Sequence, residues 1–156
     1  MRVLSGVYCE TVSVVGNHKY NPMSIPWRKE YEIGIESIDV QHRKLIATVN
    51  TLSDAIAARE SDEQVKGILS ELDEYVETHF TYEEELFRKC GYAASEDHEA
   101  EHETFRKSLV MFHKQNEERM PLITIEMLGY LEGWFLHHVL VSDRGYVDAF
   151  RDCGIN

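Results

Sequence analysis

Cysteine, proline and positive charge are all scarce in this chain. Its three cysteines, Cys9, Cys90 and Cys153, stand far apart with no paired spacing. Nothing in that pattern reads as a disulfide framework, so the three are expected to be spectator thiols in a reducing compartment. The 16 lysines and arginines against 28 acidic residues leave a formal charge of -12, which repels nucleic-acid phosphates and anionic membrane surfaces. No apolar run approaches the roughly 18–20 residues needed to cross a bilayer, and Glu10 interrupts the only N-terminal stretch resembling a signal core. A cytoplasmic protein with neither nucleic acid nor membrane as partner is expected. Internal repeats are absent as well. What is present suffices for one core: 156 residues with 43% hydrophobic content fill a single domain and not two.

Two of the three prolines, Pro22 and Pro26, lie with Gly6, Gly16, Asn17 and Asn21 in a segment that sustains no helical period. Residues 1–26 are therefore expected to be an N-terminal extension in which Val3, Val7, Cys9 and Val14 offer at most a short strand. From Ile38 the apolar positions repeat by threes and fours through Leu45, Ile46, Val49, Leu52 and Ile56, predicting a helix that ends near Ala58. Ser61 with Gln64 resembles a capping box opening a second stripe of Val65, Ile68, Leu69, Leu72, Val76, Phe80 and Phe87, which Arg88, Lys89 and Gly91 close. Ser95 reads as the cap of a third helix with inner face Phe105, Leu109 and Phe112, and Pro121 marks the next connection. A fourth helix carries Met127, Leu131, Trp134 and Val141. Four helices of comparable length with short loops predict an all-α, up-down-up-down antiparallel four-helix bundle over residues 27–156.

Seven polar residues interrupt these apolar faces: His42, His79, Glu83, His98, His102, His138 and Asp143. Burying such groups without partners costs about 1–3 kcal/mol each, so a shared partner is called for. Imidazole nitrogens suit iron, copper or zinc, and carboxylate oxygens bridge cations. Residues four apart on a helix differ by only about 40° in direction, so His79 with Glu83, and His98 with His102, each converge on one volume. Asp143 is the exception, because five residues beyond His138 it lies about 140° off that face in a regular helix. A π-bulge, a break or a helix end between the two is predicted to turn it inward. Seven donors exceed one tetrahedral zinc site and match two adjacent octahedral ions sharing both carboxylates. His18, His113 and His137 read as non-ligands, while Glu84, Glu85, Glu99, Glu101 and Glu103 read as solvated faces.

These residues resemble the hemerythrin family in its bacterial single-domain form, over about Trp27 to Phe150. The likeness rests on Trp27 to Ile35, Ile38-Asp39-Val40-Gln41-His42, His79-Phe80 with Glu83-Glu84, Gly91-Tyr92, His98 with Glu101-His102, and Trp134 with His138 and Asp143. The resemblance implies a centre of two iron ions with an oxo or hydroxo bridge. His98, His102 and His138 would hold one iron, His42 and His79 the other, and Glu83 and Asp143 would bridge them. Dioxygen, and also nitric oxide or other small anions, would bind at the open position of the two-histidine iron. Phe80, Trp134 and Phe135 are expected to shield that pocket. Phe135 departs from the Leu common at its position, which narrows the route inward, and Ala93 replaces a frequent Pro in a loop. The implied activity is reversible dioxygen binding without catalysis, for storage, delivery or sensing. A redox- or nitric oxide-sensing module acting on an unidentified protein partner is the alternative. A ferritin-like oxidase or peroxidase fits less well, since such sites use two Glu-x-x-His motifs that this chain lacks.

Overall fold

The structure, a computed structural model, describes residues 24–118 and 123–156. Expectations for Val3, Val7, Cys9, Val14, His18 and Pro121 lie outside those residues. Four long helices form the bundle: α1 (Glu36–Ala58), α2 (Asp62–Cys90), α3 (Ser95–Glu117) and α4 (Ile123–His137). A short α5 (Val147–Asp152) follows, and the described residues contain no strand. The connections at 59–61 and 91–94 are too short for anything but antiparallel return. α2 packs on α1 and on α3, and α4 closes the bundle against α1.

Local chemistry sets the helix ends. Ser61 and Gln64 form the reciprocal capping box at the start of α2. Gly91 ends α2 in the left-handed conformation at φ 64°, where a Cβ would be strained. The apolar stripes face inward: Leu45, Val49 and Leu52 of α1 meet Leu69, Leu72 and Val76 of α2, Phe105 and Leu109 of α3, and Met127 and Leu131 of α4, all buried. Each such side chain contributes about 1.5–3 kcal/mol on burial, so the bundle closes on its own apolar surface above and below the polar layer.

An N-terminal arm runs along the bundle and packs well upstream of α1. Ile25 is buried and exchanges two hydrogen bonds with the Asn50 side chain, at 2.7 and 2.9 Å. Trp27 lies under the Arg43 guanidinium, 4.8 Å from the ring centre. Asp39, a buried carboxylate outside the polar layer, accepts the backbone N–H groups of Ile33 and Gly34 at 2.8 and 3.2 Å. It therefore anchors the arm to the first turn of α1.

Three expectations are corrected. Ser95 is the first residue of α3 and not its cap: Ser95 N–H bonds the Tyr92 carbonyl in the turn after Gly91, and Ala94 takes the capping position. Val141 is 58% exposed, because the helix changes pitch at His138 and rotates the stripe away. Cys90 and Cys153 are paired as a disulfide, with Cα atoms 5.5 Å apart. Their separation of 63 residues hid the pairing, which arises because α5 folds back onto the end of α2.

Candidate metal centre

All seven polar residues of the apolar faces meet in one buried layer: His42 from α1, His79 and Glu83 from α2, His98 and His102 from α3, then His138 and Asp143 beyond α4. After His137 the chain passes into a π-helical turn, His138–Ser142. Asp143 N–H bonds the His138 carbonyl five residues back, and this wider turn restores the carboxylate to the face that His138 occupies. A 3-10 turn, Asp143–Tyr146, then leads into α5.

Each carboxylate sends one oxygen to each half of the layer. Asp143 Oδ2 lies 3.1 Å from His42 Nε2, while Oδ1 lies 3.2 Å from His138 Nε2 and 3.5 Å from His98 Nε2. Glu83 Oε1 lies 3.5 Å from His79 Nε2, and Oε2 lies 3.2 Å from His102 Nε2 and 3.5 Å from His98 Nε2. The donors form two overlapping sets, Glu83 with His98, His102 and His138, and Glu83 with His42, His79 and Asp143, each within 4.8 Å. Close as they are, His42 Nε2, His79 Nε2, His98 Nε2, Glu83 Oε2 and both Asp143 oxygens make no hydrogen bond among the described residues. The lone pairs converge on shared points and not on one another, an arrangement that cations between them would satisfy. Five nitrogens and two carboxylates form a donor set that fits iron.

Burial and the two carboxylates pull the imidazoles in opposite directions: burial would lower His42 and His98, but Asp143 beside His42 and Glu83 beside His98 outweigh it and raise both. Burial pulls the His79 imidazole down to about 3 against the pull of Glu83, so it stays neutral. Burial would raise the Glu83 carboxyl, but His79, His102 and His98 outweigh it and hold the group well below the usual carboxylate range. Tyr146, fully buried, donates its hydroxyl to Glu83 Oε1 at 2.5 Å. That bond fixes one of the two inward carboxylate oxygens of Glu83.

The outward nitrogens of three of these histidines meet partners that the sequence reading missed. His102 Nδ1 lies 3.0 Å from Glu84 Oε1, which also accepts from Arg106 at 3.1 Å. His138 Nδ1 lies 3.1 Å from Glu101 Oε2, which the Ser142 hydroxyl holds at 2.6 Å. His79 Nδ1 lies 2.6 Å from the Gln41 amide oxygen. With Nε2 turned inward, Nδ1 carries the proton and donates. Glu84 and Glu101 are therefore not simply solvated faces, a correction with a geometric cause. Each adjoins a residue of the inward layer in sequence, so the roughly 100° step per residue aims it at the neighbouring helix instead of at water. The His138 hydrogen bond holds the Glu101 carboxyl down at about 2. Glu85 and Glu103 are exposed as expected; His113 bonds Asp73 at 2.7 Å and His137 faces solvent.

Aromatic rings cover the imidazoles on both sides. Phe80 stacks on His102 at 3.7 Å and Trp134 on His138 at 4.2 Å. Phe135 meets His42 edge-on at 6.3 Å, backed by Tyr31 at 5.5 Å. The arm thus seals the two-histidine half.

An antiparallel four-helix bundle with a histidine-carboxylate layer at its middle defines a class of metal-binding bundle proteins. A family model described as the hemerythrin HHE cation binding domain matches residues 33–150. A bacteriohemerythrin of Clostridium acetobutylicum is 32% identical over 126 residues, covering 78% of this chain and 98% of that protein. One from Pseudomonas paraeruginosa is 31% identical over 125 residues, with 80% of each chain covered. A hemerythrin-like protein of Naegleria gruberi is 25% identical over 80% of this chain and 92% of its own. The chain belongs to the hemerythrin family, and membership implies a non-haem iron site.

Proposed function

We propose that this chain binds dioxygen reversibly at a centre of two iron ions, as an oxygen-storing, oxygen-delivering or oxygen-sensing protein and not as an enzyme. The observation that carries this reading is an imbalance across the two shared carboxylates: three imidazoles stand on one side and two on the other. The side with fewer donors is where a small ligand has room to bind. The names of the bacteriohemerythrin relatives support the same direction.

Iron supplies the electrons that dioxygen capture requires, and the chain's own residues make that capture reversible. Neutral imidazoles add less negative charge than carboxylates would and so favour a permanently oxidised state less. Tyr146 fixes the orientation of Glu83, which would be shared between the two irons, through the bond to Oε1. Phe135, Phe80 and Trp134 exclude water, which would otherwise carry protons to reduced oxygen and release it as peroxide.

Admitting air to anaerobically reduced, iron-loaded protein is expected to raise visible absorption bands that vanish on deoxygenation. Irreversible oxidation in a single exposure overturns the proposal. No helix among the described residues is long and apolar enough to cross a membrane.

A further inference from the structure

Two buried tyrosines bracket the candidate centre, and they differ in one respect. Tyr146 sits on the side of α5, with its hydroxyl committed to Glu83. Tyr75 sits on the opposite side, one turn before His79 on α2, and its ring stacks on that imidazole at 5.0 Å and 26°. Its hydroxyl is buried and has no hydrogen-bond partner among the described residues. A buried phenol left without a partner is unfavourable, and a phenylalanine would fill the same volume without that cost.

The antiparallel bundle shows what shares this level. One turn from the metal layer in the same direction, α1 offers Ile46, α3 offers Phe105 and α4 offers Phe135, and all three are buried and apolar. None gives the phenol an acceptor. Because Tyr75 stacks on His79 and Phe135 lies against His42, this apolar level borders the two-histidine half, while Trp134 covers His138 on the other half.

We infer that the Tyr75 hydroxyl donates a hydrogen bond to a small ligand of anionic character bound on the two-histidine side. This assignment rests on the proposed open position there. A phenol is protonated at neutral pH and so offers one O–H donor. A single O–H donor in an apolar wall favours ligands that concentrate negative charge on the atom farther from the metal. The specificity expected is therefore for compact linear anions and for reduced dioxygen over neutral diatomics.

The test uses azide as probe on oxidised, iron-loaded protein, comparing the natural chain with Tyr75→Phe. Azide affinity is expected to fall by roughly tenfold, mostly through faster dissociation. The infrared stretch of bound azide should shift between the two proteins and respond to deuterated solvent only when the hydroxyl is present. Iron content and thermal midpoint should be unchanged or, for the midpoint, raised, because the substitution removes an unpaired polar atom. Equal azide affinity and an unmoved stretch overturn the inference and leave the dioxygen reading standing. Loss of iron from the variant also overturns it, by assigning the hydroxyl to holding the centre. Failure of the natural protein to bind azide at all refutes the open position itself.

Discussion

At the scale of single residues, the histidines of the layer are distinguished by what stands behind them. Glu84 and Glu101 put carboxylates behind His102 and His138, while the neutral amide of Gln41 stands behind His79. Carboxylate acceptors make an imidazole a stronger donor to a cation, so the three-histidine side should hold its metal more firmly. Replacing Glu101 by Gln keeps the shape and removes the charge. It is expected to weaken iron retention against a chelator by roughly ten- to a hundredfold, and equal retention by the two proteins counts against this role. Six of the seven inward residues were legible in the sequence because each is a polar residue on an apolar stripe, whereas Asp143 lies off that face in a regular helix and needed an irregular turn. Their outer partners were not, since a glutamate facing a neighbouring helix and one facing water look the same along the chain.

The element that decides the geometry is the π turn His138–Ser142. It brings Asp143 back beneath His138 and also aims the Ser142 hydroxyl at Glu101. The logic is checked by changing the number of residues in the turn. Deleting the exposed Val141 would leave Asp143 four residues after His138, about 40° off its face in a regular helix, so iron loading should largely survive. Inserting one alanine at the same place moves the carboxylate about 240° round in a regular helix, and loading should collapse. Iron content of the purified variants reads the outcome; the reverse order refutes the account. The need for such a break was readable from the spacing of five between His138 and Asp143. Which of a bulge, a break or a helix end would meet it was decided by α5 continuing past the site to pack on α2.

For the whole molecule, the closing contact is the return of α5, where Tyr146 and Phe150 stack at 4.3 Å beside Phe87 and the Cys90–Cys153 bond joins the ends. Closing a loop of this length removes about 4 kcal/mol of unfolded-chain freedom. Replacing both cysteines by serine should therefore lower the melting midpoint of the iron-free protein by about ten degrees. An unchanged midpoint under non-reducing conditions would show that the bond adds nothing to stability. The capping box of α2, its left-handed stop at Gly91, most of the four apolar stripes and the polar residues that interrupt them were written in the sequence, because each depends on residues within a turn or two. The disulfide, the outer carboxylates and the unpaired Tyr75 hydroxyl join or expose residues across different helices, and no local period encodes them. Local chemistry determined the helices and their inward faces; packing alone decided which side chains met across them.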